Sequence, residues 1–88
     1  MNNEIIREQV IEILEDICAT TVTDETATLQ NDLQMDSLRM VMLLVMIEDT
    51  FDIELDESDM NPFALLNVQD VIDLVVKYKI KREDEKNG

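Results

Sequence analysis

The stretch Leu33-Gln34-Met35-Asp36-Ser37-Leu38 decides how this chain is read. A long polar segment ends there, and a strongly apolar run begins at once and continues to Phe51. Asp36 is a residue type that favours the N-cap of a helix, where its carboxylate accepts a hydrogen bond from a first-turn N–H. The spacing after it predicts a helix over residues 37–50. At about 100° per residue, Met40, Val41, Leu43, Leu44, Ile47 and Phe51 fall in one half of the helical wheel and form the expected core face. The other half holds Leu38, Arg39, Met42, Val45, Met46 and Asp49, with Glu48 on the border. An ordinary surface helix is charged on that side, whereas this one is apolar nearly all round. A chain of 88 residues cannot enclose a helix completely, so part of that apolar surface is expected to face outward.

Upstream, Ile6, Val10, Ile13, Leu14, Ile17 and Cys18 recur at helical spacing, with Arg7, Glu8, Glu12, Glu15 and Asp16 opposite. They predict a first helix over 4–18. Residues 19–35 are then polar or β-branched, with Leu29 and Leu33 as isolated apolar anchors and a short helical turn expected near 26–31. Loops of this length are uncommon in compact domains and tend to be functional. Downstream, Phe51-Asp52-Ile53-Glu54-Leu55 alternates but has no partner strand, so it reads as an extended connector with Phe51, Ile53 and Leu55 inward. Asp56-Glu57-Ser58-Asp59-Met60 suits a short third helix, ended by Pro62. Phe63, Leu65 and Leu66 are expected to re-enter the core. Asn67 with Asp70 three residues later resembles a capping box, and a last helix follows with Val68, Val71, Ile72, Val75 and Tyr78 inward. The fold class is therefore all-α: a small four-helix bundle of three longer helices and one short one, with a long loop between the first two. Residues 1–78 form the domain, and the charged residues 79–88 are expected to be a disordered tail.

Composition bounds the chemistry. One Gly, one Pro and 3% aromatic residues argue against a turn-rich β architecture. No His is present, which removes the usual general base and the commonest metal ligand, so neither an autonomous hydrolase nor a zinc site is expected. A single cysteine, Cys18, excludes an intrachain disulfide, fits a reducing cytoplasm, and reads as a small core residue. An acid-rich stretch over 49–59 lacks the glycine and ordered spacing of a calcium loop. No secretory signal and no run long enough to span a membrane are visible. The net charge is −14, and between Glu8 and Val76 the only basic residue is Arg39. Such a body repels nucleic acid and anionic membrane and is steered toward basic partner surfaces.

Ser37, just inside the second helix, admits two readings. It is either local capping chemistry or a modification site, because unpaired first-turn N–H groups and the positive end of the helix dipole favour a phosphate ester on its hydroxyl.

The frame around it resembles the acyl carrier protein family. Leu33-x-x-Asp36-Ser37-Leu38 is similar to the family's phosphopantetheine attachment signature. Leu29 and Leu33 precede it at the family's spacing, Phe51-Asp52-Ile53-Glu54-Leu55 resembles the end of its second helix, and Val68-Gln69-Asp70-Val71-Ile72-Asp73 the opening of its last. The resemblance covers residues 4–78. It implies that Ser37 carries 4′-phosphopantetheine, attached by a phosphopantetheinyl transferase from coenzyme A, with Asp36 in support. The protein would be a carrier and not an enzyme. It would hold acyl groups as thioesters and deliver them to ketosynthase- and acyltransferase-type enzymes of fatty acid or polyketide synthesis, as a cytoplasmic monomer. Leu38, Arg39, Met42, Val45, Met46, Glu48 and Asp49 would form the docking surface. The chain departs from the family pattern at Gln34, commonly Gly, at Arg39 and Met42, commonly acidic, and around 60–63, where residues are inserted. Those departures imply a specialised carrier with a weakened electrostatic docking code. An aminoacyl or peptidyl carrier, and an unmodified helical interaction module, stay open as alternatives.

Overall fold

The apolar periodicity of residues 4–18 produces helix α1, Asn3–Cys18, which buries Ile6, Val10, Ile13 and Leu14 and leaves Ile17 and Cys18 half-buried against the core. The structure is a computed structural model that describes residues 3–61 and 64–87, with side chains through Lys81. Ala19 ends α1 in the left-handed conformation (φ 53°), its N–H donating to the Glu15 carbonyl at 2.8 Å. The Glu15 carboxylate then accepts the Val22 N–H at 2.8 Å and turns the chain back, so that Val22 is buried.

Residues 19–36 form a strap rather than a free loop. Leu29, Leu33 and Met35 are buried, so the two anchors expected from sequence do pin it, with a third added. A single α-type turn forms at 28–32, where the Asp32 N–H donates to the Thr28 carbonyl at 3.1 Å, and it does not extend into a helix. Instead Asp24 accepts from the Thr26 N–H at 2.8 Å, and Thr28 and Asp32 bond reciprocally, the Asp32 carboxylate taking the Thr28 N–H at 2.8 Å. These short polar side chains compete with helix by bonding nearby backbone. An Arg7–Glu25 ion pair ties the strap to α1.

The strap also pairs with the segment before the last helix. Leu29 N–H donates to the Leu66 carbonyl at 3.0 Å, and Thr28 and Asn67 form an antiparallel bridge. Val68 and Gln69 N–H donate to the carbonyls of Ala27 and Glu25 at 3.1 and 2.9 Å. The Asp70 N–H donates to Asn67 Oδ1 at 2.9 Å, and the Asp70 carboxylate accepts the Asn67 N–H at 3.2 Å, which is the expected capping box. Leu66 is therefore exposed (67%) rather than buried. In extended backbone successive side chains point to opposite sides, and Leu65 has taken the inward one.

Helix α2, Ser37–Phe51, buries Met40, Leu43, Leu44, Ile47 and Phe51. Val41, expected inward, is 47% exposed. It lies about 100° round the wheel from Met40, outside the arc that α1 and the strap cover. Asp52 closes α2 in the left-handed conformation (φ 53°), with its own N–H and that of Ile53 returning to the Glu48 carbonyl. Phe51 is thus the last helical residue and not part of the connector; Leu55 is buried and Ile53 half-buried. The short third helix reduces to one 3-10 turn, Glu57–Asp59. The expectation for Phe63 lies outside the described residues.

Helix α3, Val68–Asn87, buries Val68, Val71, Ile72, Val75 and Tyr78 as the spacing predicts, and Leu74 besides. It continues through residues 79–87, so the segment expected as a disordered tail is helical. Lys79 and Lys81 supply local reasons: Lys79 Nζ donates to the Phe51 carbonyl at 2.6 Å, and Lys81 Nζ lies 3.5 Å from the Asp56 carboxylate. Helix α1 packs against both α2 and α3. The architecture is all-α, as expected, with three α-helices and one 3-10 turn named among the described residues.

Candidate functional site

The geometry of the α2 N-terminus starts with Asp36. Its backbone is extended (φ −105°, ψ −179°), and its Oδ1 accepts the Arg39 N–H at 2.9 Å. Its carbonyl accepts the Met40 N–H at 3.0 Å, the first bond of the helix. Asp36 is the cap. That leaves Ser37 free of capping work: its side chain is exposed and its hydroxyl makes no hydrogen bond within the described residues. The N–H groups of Ser37 and Leu38 are likewise unbonded within the described chain. At α3 the corresponding two groups are taken by strap carbonyls. One helix start is closed and the other open, and an open start is a place where an anionic ester is stabilised by unpaired donors and the dipole.

Position and orientation of this serine come from the strap. The Met35 N–H donates to the Leu29 carbonyl at 2.8 Å, and the buried Leu29, Leu33 and Met35 hold the chain against the core one residue before the cap. Gln34 takes the left-handed conformation (φ 54°) between two buried side chains. That angle favours glycine, so the unusual glutamine occupies a position whose backbone still has the glycine geometry.

The structure brings together Leu38 (69% exposed), Met42 (44%) and Val45 (52%) on the outward side of α2, and adds Val41, which sequence reasoning assigned to the core. Asp49 is exposed on the same helix. Met46 is half-buried and packs against the core instead. Glu48 is half-buried, and its carboxylate accepts the Leu55 N–H at 2.9 Å, so it serves the α2–connector junction. Arg39 is exposed, and its positive charge reaches Cys18 at the end of α1. Burial pushes the Cys18 thiol pKa up, and Arg39 only partly offsets this. The thiol donates to Met35 Sδ at 3.2 Å, which fits a packing residue as expected. Leu66 was missed as a surface residue. Two backbone hydrogen bonds, through Leu29, connect it to Met35 beside the cap. Its signal was the alternation with Leu65 just before the capping box.

Among the described residues no group of His, Cys, Asp and Glu side chains could hold a metal ion. Among the described residues, too, no helix is long and apolar enough to cross a membrane. A cleft lined by residues 52–57 with Tyr78 and Lys81 opens at the far end of α2. That is about 22 Å from Ser37 at ~1.5 Å per residue.

Comparison with known proteins agrees with this geometry. The sequence pattern described as "Phosphopantetheine attachment site" matches residues 8–75. An acyl carrier protein of Syntrophus aciditrophicus (strain SB) is 39% identical over 70 residues, covering 77% of this chain and 85% of that one. The crystal structure of an acyl carrier protein from Thermotoga maritima superposes with a TM-score of 0.73 at 23% identity, over 92% of this chain and 94% of that one. The last likeness shows the fold alone, whereas the first two show the family. With the match spanning both sides of an open helix start, the chain belongs to the acyl carrier protein family, whose members are carriers rather than enzymes and bear a 4′-phosphopantetheine attachment site.

Proposed function

We propose that Ser37 is the attachment residue and that the chain carries acyl groups for enzymes of fatty acid or polyketide type. The observation that carries this reading is the division of labour at the start of α2. Asp36 holds the cap, while the Ser37 hydroxyl and the first two N–H groups face outward without partners. A transferase can reach that hydroxyl without unfolding anything. Once the phosphodiester is formed, the Ser37 and Leu38 N–H groups and the helix dipole favour its negative charge. The arm, when attached, supplies a terminal thiol that carries the acyl group as a thioester. The protein's own residues fix where that arm is rooted and what surface surrounds it.

The carrier unit is residues 1–78, because Tyr78 is the last buried residue among those described and the family match ends before it. Docking involves the exposed side of α2, with Leu38, Arg39, Met42, Val45 and Asp49 at its centre and Met46 and Glu48 at its edges. Partners are a phosphopantetheinyl transferase and acyl-loading and acyl-using enzymes. A monomer in the cytoplasm fits the single cysteine and the self-repelling charge of −14. The scarcity of acids near Ser37 supports a specialised carrier over a housekeeping one.

The test is mass analysis after incubation with coenzyme A and a broad-specificity phosphopantetheinyl transferase. A gain of one phosphopantetheine is expected, and it should vanish in Ser37→Ala. No gain, or a gain that survives the substitution, would refute the assignment.

A further inference from the structure

Around Ser37 the charge pattern of this chain inverts. Leu38, Val41, Met42 and Val45, spaced at i, i+3, i+4 and i+7, make one continuous apolar strip, each residue 44–69% exposed. From Ser37 to Ile47 there is no acidic residue, although the chain holds 21 Asp and Glu. The first acid after that run, Glu48, is engaged by the Leu55 N–H. The only base between Glu8 and Val76, Arg39, stands exposed two residues from the serine and has no ion-pair partner among the described residues. Asp36, the one acid adjacent to the serine, has an oxygen committed to the Arg39 N–H.

Resting on the reading of Ser37 as the attachment residue, we infer that the carrier's partner enzymes meet α2 with an apolar patch flanked by a carboxylate opposite Arg39, and not with a basic patch. Charge complementarity carries the inference. At physiological salt an exposed charge acts over a Debye length of about 8 Å, so distant acids steer approach but do not select contacts beside Ser37. Within that range the outward side of α2 offers apolar side chains and one guanidinium, and the adjacent carboxylate of Asp36 is already held by the Arg39 N–H at 2.9 Å. A basic rim would meet Arg39 with like charge and leave its own cations facing Leu38 and Met42, a desolvation without compensation. A carboxylate would pair with Arg39 through its planar fork and set the register of docking. Arg39 and Met42 thereby also reject enzymes built for an acidic helix, which is specificity by an unfavourable contact.

The experiment is a two-by-two exchange on arm-loaded carrier. One axis is wild type against Arg39→Glu. The other is a ketosynthase with a basic carrier-docking patch against the same enzyme with the patch lysines and arginines changed to glutamate. Turnover of each enzyme on a free pantetheine thioester verifies that both are folded, and transfer from the carrier is then read as kcat/KM. The wild-type carrier is expected to favour the glutamate enzyme by about tenfold, and Arg39→Glu to reverse that preference. Preference of the wild-type carrier for the basic enzyme, or an Arg39→Glu variant that behaves like wild type on both, overturns the inference. Mass analysis of both carriers separates the two layers. Failure of the wild-type carrier to take up the arm at Ser37 overturns the carrier reading and the inference with it, whereas normal loading of both without the exchange of preference overturns the inference alone.

Discussion

Replacing Tyr78 by Phe removes one oxygen that joins two parts of the molecule. The phenol accepts the Asp56 N–H at 2.8 Å and donates to the Asp59 carboxylate, which also takes Lys77 Nζ at 3.1 Å. The connector after α2 is thereby fastened to α3. Tyr78 is 5% exposed, so Phe refills its ring volume and only the polar contacts are lost. A hydrogen bond to a charged group contributes about 1.5–3 kcal/mol, and the backbone bond adds little because Asp56 is exposed to water. A loss of about 2 kcal/mol at neutral pH follows. Burial, and then the bond to Asp59, push the Tyr78 pKa up from 10.0 to about 12. The raised value means that the folded protein keeps a proton the unfolded chain releases near pH 10. The contribution is whole below about pH 10 and is lost as pH rises toward 12. Asp59 gives the opposite sign at the other end. The Tyr78 bond first, then Lys77, hold its carboxyl below the usual 3.8, so its contribution is present above about pH 4 and lost as pH falls further. Urea titration followed by far-UV circular dichroism, from acid to alkaline pH, should show wild type and Tyr78→Phe separated by about 2 M in midpoint near neutrality at an m-value of ~1 kcal/mol/M. The curves should converge at both extremes. Parallel curves, or equal midpoints at neutral pH, would refute the account of this bridge.

Ala19→Gly should stabilise the protein by about 0.5–1 kcal/mol in the same titration, because Ala19 caps α1 in the left-handed region that costs a side chain and suits glycine; a loss would show that the angle is not strained. Asp36→Ala should cost about 1 kcal/mol while Asp36→Asn should cost a fraction of that, since the amide oxygen can still accept the Arg39 N–H; equal losses would mean that the cap geometry is not what stabilises. Raising ionic strength from a few millimolar to physiological should raise the thermal midpoint, because screening relieves repulsion in a chain of charge −14; an unchanged or lower midpoint would contradict this.

Most helix faces were legible because each signal was local and repeated. In α1 and α3 the buried positions recur every three or four residues, and Asp36 and the Asn67–Asp70 pair mark the starts of α2 and α3 by side chains that bond their own backbone. Val41 misled because α2 is apolar on nearly every side, so periodicity alone could not say which arc the neighbours cover. Leu66 misled for a different reason. Its orientation follows from a backbone bond between its carbonyl and Leu29, some 37 residues earlier, and such bonds carry no side-chain signature. The third helix shrank because the acids of 56–59 suit a helix start but Pro62 leaves no room for a second turn. At the start of α2 the Asp36 cap was readable, whereas the commitment of Glu48 to the Leu55 N–H needed the fold.

The length of the strap now has a physical reason. An α-helix start presents N–H groups without partners, and α3 begins inside the fold, where leaving them unpaired would be costly. Glu25 and Ala27 carbonyls supply those partners, and Asn67 supplies the next. To do so the chain must run from the end of α1 across to the start of α3 and return to the start of α2, which a tight turn cannot span. The return leg is fixed by Leu29 through its bonds to both Leu66 and Met35. The same strap that closes the start of α3 therefore sets the place where α2 begins. Only the second start is given a single capping side chain and left otherwise open, with Ser37 on its rim. Substituting Leu29 by Ala, with 0% of its surface exposed, should thus cost about 2–5 kcal/mol and, in whatever fraction stays folded, slow arm transfer to Ser37. Unchanged transfer in a folded but destabilised Leu29→Ala protein would show that the strap supports stability without positioning the serine.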